Sequence, residues 1–244
     1  MTAEALALLL GVFLVALLYS SVGHAGASGY IAVMSLAGLA PETIRPTALL
    51  LNVLVAAIAS FQFWRAQRFS WPLFWPFALA AVPMAFLGGA SALPARVFQV
   101  VVGALLLLSA LWLLRRPRGD AEPVAPRRPL ALGAGAGIGL LAGLTGTGGG
   151  IFLTPLLLLR GWARAQVAAG VTAPFVLVNS LAGLAGNLSA TRDLPALALP
   201  LAGVVAVGGL AGSSLGSRRL PHVAIERLLA LVLVIGGAKL LFRL

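Results

Sequence analysis

Long apolar segments alternate with short polar ones along the whole chain, and this pattern predicts an all-α polytopic membrane protein. Five apolar segments precede a polar stretch at 115–129, and five more follow it. Their approximate ranges are 3–20, 28–39, 45–64, 71–91, 95–114, 130–144, 150–160, 165–188, 195–215 and 223–243. Because a membrane-spanning helix needs about 20 apolar residues, most of these segments are predicted to cross a bilayer.

The order of the segments is the same in the two halves of the chain. In each half the first two are short or joined through a glycine-rich break, and the last three are full length. At an offset of 123 positions Gly23–Ala27 (GHAGA) falls on Gly146–Gly150 (GTGGG), and Gly38 falls on Gly161. This order predicts an N-terminal membrane repeat at 1–114, a linker at 115–129 and a C-terminal membrane repeat at 130–244.

Composition supports the membrane assignment and argues against an enzyme. The chain has 60% hydrophobic and 9% charged residues and a mean hydropathy of +1.03, whereas a soluble domain has about 25% charged residues. With no cysteine, thiolate metal sites and disulfides are excluded. The sequence has no P-loop, no nucleophile–base pair and no metal-ligand spacing, so we expect no catalytic residue, metal or cofactor.

The net charge of +11 is explained by topology and not by nucleic-acid binding. Five arginines lie in the Pro-rich linker, and most other basic residues lie at the ends of apolar segments. A cytoplasmic linker places twelve of the 17 basic residues inside and five outside. Five crossings per half then make the repeats inverted and put both termini outside a cell membrane, which we expect to be a bacterial inner membrane. Re-entrant hairpins in place of the short segments give the same loop assignment, so both models stay open.

The stretch Leu144–Pro155 (LTGTGGGIFLTP) breaks an apolar run, and this break is the strongest candidate for a binding site. Unwound backbone inside a membrane is tolerated where it lines a polar cavity or is buried in protein. A helix that restarts after glycines directs free N–H groups and its positive dipole end at one point, which suits an anion. Equivalent breaks in two inverted repeats are expected to meet near the membrane midplane.

The candidate substrate-binding residues lie in a break or are polar groups inside apolar segments. They are Gly23, His24, Gly26, Ser28, Asn52, Thr145, Gly146, Thr147, Gly148, Gly149, Gly150, Asn179 and Ser180. Packing is the alternative for the histidine and the glycines, and interhelical hydrogen bonding is the alternative for the asparagines and serine. The two threonines either cap the restarted helix or contact the ligand.

Arg45 and the glycines at 133–139 are not candidate binding residues, and the sequence predicts other roles for them. Arg45 comes just before Pro46 at a helix start, and a surface position is expected for it. The glycines of GAGAGIG (Gly133–Gly139) are predicted to serve close helix packing.

The break and its surroundings resemble the sulfite exporter TauE/SafE family of membrane permeases. The resemblance rests on GLTGTGGGIFLTPLLLLRG (Gly143–Gly161) and AGVTAPFVLVNSLAGL (Ala169–Leu184). Their first-half counterparts are SSVGHAGASGYIAVMSLAG (Ser20–Gly38) and RPTALLLNVLVA (Arg45–Ala56). The first-half copy departs from the motif, because Ala25 and Ala27 occupy glycine places and Ala32 stands opposite Pro155.

The resemblance implies transport of small sulfur-containing anions such as sulfite or organosulfonates, usually outward. Alternating access around a midplane site at the broken helices is the expected mechanism, by analogy with other inverted-repeat transporters. The expected partners are therefore a small anionic substrate and the lipid bilayer, without nucleic acid, and homo-oligomerisation stays open. Two other functional classes also stay open, a passive anion channel and a non-transporting membrane component of a larger complex.

Overall fold

A computed structural model describes residues 3–21, 23–91, 94–115, 123–191 and 195–216, together with residues 234, 237, 238, 241 and 242. The continuous ranges contain nine α-helices and no strand. The helices are α1 (Ala3–Ser21), α2 (Ala27–Leu36), α3 (Pro41–Arg65), α4 (Trp71–Ala90), α5 (Ala95–Arg115), α6 (Arg128–Thr145), α7 (Gly150–Leu159), α8 (Ala165–Thr191) and α9 (Ala198–Gly216).

These helices confirm the predicted all-α membrane architecture. Nine of the ten predicted apolar segments correspond to α1–α9, while most of the tenth, and residues 116–122 of the linker, lie outside the described residues. Within the described ranges, six helices are long and apolar enough to cross a membrane. The short helices α2 and α7 have 10 residues each, about 15 Å, which is half of a hydrocarbon core of about 30 Å.

The two halves repeat in backbone conformation at the offset seen in the sequence. The helices α2 and α7 begin 123 positions apart, at Ala27 and Gly150, and have the same length. Three pairs of glycines at this offset share a positive φ: Gly23 and Gly146 (79° and 77°), Gly26 and Gly149 (103° and 86°), and Gly38 and Gly161 (80° and 62°). The inverted orientation of the halves in the membrane stays a prediction.

Helices of each half pack against helices of the other half, and the buried apolar residues form two large hydrophobic cores and a small third one between α3 and α8. The first helix of each half packs against the fourth helix of the other, α1 against α9 and α6 against α4. One core is centred on α1, α2, α3 and α9, and the other on α4, α6, α7 and α8. We call these the first and second bundles. Each bundle contains one short helix, and α3 packs against α8 between them.

Small residues allow α6 to approach α4 closely. Ideal Cβ atoms at Gly135, Gly139 and Gly143 would collide with the carbonyl oxygens of Phe77, Ala81 and Ala85, respectively. This spacing of four residues brings the two backbones together along one seam. The packing role predicted for GAGAGIG is therefore confirmed at its second and fourth glycines. It is wrong at Gly133 and Gly137, where no atom of the described residues lies within 4 Å of the added Cβ.

Three of the loops predicted to be cytoplasmic lie together at one end of the protein. Val124 in the linker donates its backbone N–H to the carbonyl of Gly161, 2.9 Å away. The guanidinium carbon of Arg128 lies 5.7 Å from the centre of the Trp75 ring. The carbonyl of Arg68, in the α3–α4 loop, lies against Gly170 near the start of α8. The side of the membrane on which this end lies stays a prediction.

Candidate functional site

A small cavity of about 10 Å³ lies where the starts of α2 and α7 approach each other. Its walls combine residues of both breaks with one residue each from α3 and α8. The lining residues are Tyr19, His24, Ala25, Gly26, Ala27, Ser28, Asn52, Thr147, Gly150, Ile151 and Val176. Asn52 and Val176 are each the twelfth residue of their helices, which have 25 and 27 residues. The cavity therefore lies near mid-length of the two longest helices, between the two bundles.

Both short helices begin at a glycine in the left-handed conformation. Gly26 and Gly149 occupy the N-cap positions of α2 and α7, and within the described structure no side-chain hydrogen bond caps the start of either helix. The first N–H groups of a helix have no partner inside that helix. These groups and the positive helix ends are therefore available to the cavity, whose wall includes the first two residues of each helix.

Two tyrosines brace the first break, which joins α1 to α2. The hydroxyl of Tyr30 donates to the carbonyl of Ala25 at 2.8 Å. The hydroxyl of Ser28 donates to that of Tyr19 at 3.0 Å. His24 is half-buried in the cavity wall, and its ring meets that of Tyr19 edge-on with 6.4 Å between the ring centres. The cavity wall next to the first break thus carries the imidazole of His24 and the hydroxyls of Tyr19 and Ser28.

Asn52 connects α3 to the second break, which joins α6 to α7. Its side chain is completely buried, and Nδ2 donates to the Thr147 carbonyl and the Ser180 hydroxyl, both at 3.3 Å. Its Oδ1 has no hydrogen-bond partner among the described residues. A Cβ at Gly148 would collide with the Asn52 amide and lie 2.7 Å from the Ser180 hydroxyl oxygen. Glycine at position 148 therefore makes room for the polar contact between the bundles.

The threonines of the second break do not cap α7, so the capping interpretation is wrong. Thr145 donates its hydroxyl to the Leu141 carbonyl at 2.6 Å, and its oxygen lies 2.9 Å from the Thr147 hydroxyl oxygen. Only Thr147 belongs to the cavity wall described above. The two threonines instead connect the last turn of α6 to the second break through their hydroxyls.

The surface position expected for Arg45 is also wrong. Its side chain is only 7% exposed. The guanidinium donates to the carbonyls of Gly143 at 3.1 Å, Ser91 at 2.8 Å, Gly88 at 2.5 Å and Gly89 at 2.6 Å. Because the last carbonyls of a helix lack helical partners and form its negative end, the C-terminal turns of α4 and α6 stabilise this charge. Arg45 thereby links α3 of the first bundle to α4 and α6 of the second.

Six of the thirteen candidate site residues line the cavity. They are His24, Gly26, Ser28, Asn52, Thr147 and Gly150. Ser180 and Gly148 contact Asn52 but do not line the cavity. Gly146 packs against Arg45. Asn179 donates to the carbonyl of Phe175 in its own helix at 2.9 Å.

The remaining candidate residues support the breaks from outside the cavity. Ideal Cβ atoms at Gly149 would lie 3.0 Å from Ile138 and 3.1 Å from Phe175, and one at Gly23 would lie 2.5 Å from the Ala169 Cβ. Sequence reasoning missed five lining residues, Tyr19, Ala25, Ala27, Ile151 and Val176. A signal existed for Tyr19, because its hydroxyl lies in an apolar segment just before the first break.

The fold and the cavity together define a multi-pass helical membrane protein with two broken helices around a buried polar space. The model of the sulfite exporter TauE/SafE family matches residues 8–240, and the chain belongs to this family of membrane transporters. It is 42% identical over 200 residues to "probable membrane transporter protein y4hK" of Sinorhizobium fredii (strain NBRC 101917 / NGR234). That alignment covers 80% of this chain and 81% of the relative. No solved structure gives a significant match.

Proposed function

We propose that the chain is a secondary transporter that moves small sulfur-containing anions, such as sulfite or organosulfonates, out of the cell. Membership of a family described as sulfite exporters supports the substrate class and the direction. The observation that carries the proposal is the cavity between the starts of α2 and α7. Two positive helix ends and several hydroxyl and amide groups surround this cavity, and such groups suit a sulfur oxyanion.

The proposed mechanism is alternating access by motion of the two bundles relative to each other. Each bundle has its own hydrophobic core, and the cavity lies between them, so a relative rotation would expose it to one side at a time. Arg45 joins the bundles near the ends of α4 and α6. If the cavity opens on the side of Arg45, these hydrogen bonds must break or rearrange. At the opposite end, the linker, the α3–α4 loop and the α7–α8 loop keep the cavity closed.

The proposed topology places the linker in the cytoplasm of a bacterium, with inverted repeats in the inner membrane and both termini outside. The chain has no native cysteine, so single cysteines introduced at Val124 and at Glu4 would report the two sides. A membrane-impermeant maleimide added to intact cells is expected to label Glu4→Cys and not Val124→Cys. The reverse labelling would overturn the proposed orientation.

Counterflow in proteoliposomes tests the transport function. Vesicles loaded with unlabelled sulfite are expected to accumulate labelled sulfite transiently, because a carrier exchanges its substrate across the membrane. Flux without counterflow would indicate a passive anion channel. Absence of flux in a correctly inserted protein would indicate a component that needs a larger complex.

A pair of glycine substitutions tests the position of the site. Gly150→Ala adds a methyl group 2.8 Å from Val176 and 3.4 Å from His24, and we expect it to lower sulfite exchange because it narrows the cavity. Gly133→Ala is the matched control, because no atom of the described structure lies within 4 Å of its added Cβ. Equal exchange rates in the two variants would show that the substrate does not bind next to Gly150.

A further inference from the structure

The charge available in the cavity matches a single negative charge on the ligand. None of the lining residues described above is a lysine or an arginine, and the Arg45 guanidinium is directed at four carbonyls. The fixed positive potential comes from the starts of α2 and α7, each equivalent to about half an elementary charge. Together they neutralise about one charge, and a second negative charge would stay without a compensating charge among the lining residues.

Asn52 adds a preference for a ligand that carries a hydrogen-bond donor. The orientation of its amide is fixed by the Thr147 carbonyl at 3.3 Å, because turning the amide would place two acceptor oxygens against each other. Oδ1 therefore remains as an acceptor on a completely buried residue of the cavity wall, with no donor among the described groups. A buried acceptor is costly to leave without a donor.

We infer that the cavity takes a singly charged sulfur oxyanion that carries its own hydrogen, such as hydrogen sulfite, and excludes the doubly charged form. The anionic oxygens would lie at the starts of α2 and α7, and the hydrogen would pair with Asn52 Oδ1. This inference rests on the proposed transport function. Two titratable side chains, His24 and Tyr19, also line the cavity, so the test must separate their protonation from that of the substrate.

Counterflow with three anions across the pH range in which sulfite gains its second charge makes this separation. Sulfite is compared with methanesulfonate, a permanent single anion without a donor, and with sulfate, a double anion. We expect the KM for total sulfite to rise with pH in proportion to the loss of hydrogen sulfite. The KM for methanesulfonate should stay constant, and sulfate should not compete. His24→Gln should keep the same sulfite dependence, whatever its absolute rate.

The possible contrary results distinguish failure of the charge selectivity from failure of the transport function. A sulfite KM that is constant or falls as pH rises, competition by sulfate, or loss of the pH dependence in His24→Gln would overturn the charge selectivity and leave the transport function standing. Flux of neither sulfite nor methanesulfonate would overturn the proposed function, and with it this inference.

Asn52→Leu tests the preference for a hydrogen-bond donor separately. Loss of one hydrogen bond should raise the KM for hydrogen sulfite by roughly three- to tenfold relative to that for methanesulfonate. The methanesulfonate measurement serves as the control for altered folding. An equal change for both anions would contradict the role of Oδ1.

Discussion

The two breaks hold their N-cap glycines in the same conformation but are supported by different side chains. Gly26 and Gly149 are both left-handed. Around Gly26, the tyrosines at 19 and 30 supply hydroxyls and ring surface. Around the second break, α3 of the other half adds Arg45, which donates to the Gly143 carbonyl, and Asn52, which donates to the Thr147 carbonyl. The first break is therefore braced mainly from within its own hairpin, and the second by contacts between the bundles.

This difference explains why alanines occur in one motif and glycines in the other. Gly148 has a φ of 71° and faces the Asn52 amide and the Ser180 hydroxyl. Among the described non-glycine residues only Gln67 has a positive φ, so Ala25, the counterpart of Gly148, has an ordinary backbone. The first repeat therefore lacks these glycines because its packing is different there. Its short helix α2 still begins after the break, as α7 does in the second repeat.

The largest expected effect comes from removing the arginine that supports the second break. Arg45→Met would leave four carbonyls of Gly88, Gly89, Ser91 and Gly143 without their donor. Each buried group left unpaired costs about 1–3 kcal/mol, and relaxation recovers part of the total, so we expect a loss of about 3–5 kcal/mol. Unfolding in mixed micelles measures the change.

Arg68→Met is the matched control for this prediction, because Arg68 is exposed at the opposite end of α3. A surface substitution of this kind usually changes the unfolding free energy by less than about 0.5 kcal/mol. Equal unfolding free energies for the two methionine variants would show that the buried guanidinium is not what holds the second break.

An exchange at equivalent positions gives the next largest effect. Gly148→Ala forces a Cβ into a left-handed residue and against Asn52, which together should destabilise the protein by about 2–4 kcal/mol. Ala25→Gly, the opposite change in the first break, should cost about 1 kcal/mol or less. The same unfolding assay compares the variants, and similar losses would mean that the two breaks are supported alike.

The sequence predicts the elements well and the contacts between them less well. Hydrophobic runs located α1–α9 because each helix must be apolar over its membrane depth, and the offset of 123 paired Gly26 with Gly149. The pairing of α1 with α9 and of α4 with α6 depends on three-dimensional packing, which no periodicity encodes. Arg45 was misplaced for the same reason, because its stabilising carbonyls come from residues distant in sequence.

Within the first break, removal of one hydroxyl should have a moderate effect. Tyr30→Phe keeps the ring against Gly26 but removes the donor to the Ala25 carbonyl, so we expect a loss of about 1–2 kcal/mol. Because Tyr30 is not among the lining residues, the order of preference among transported anions should stay the same in counterflow. A changed preference with unchanged stability would place the Tyr30 hydroxyl in substrate binding instead of support.

The smallest expected effect comes from a polar pair that only the second repeat has. Thr154 and Thr172 connect α7 to α8 through hydroxyl oxygens 2.8 Å apart, whereas the equivalent positions in the first repeat are the buried Ile31 and Leu49. Each single change to valine should cost about 0.6 kcal/mol, the average for an interhelical hydrogen bond in a membrane. The double change should cost little more than one, because it removes both partners together. A double-mutant cycle of unfolding free energies measures this coupling. Strictly additive losses would mean that the hydroxyls do not stabilise each other, and the two repeats would then differ here in composition but not in the energy that holds α7 to α8.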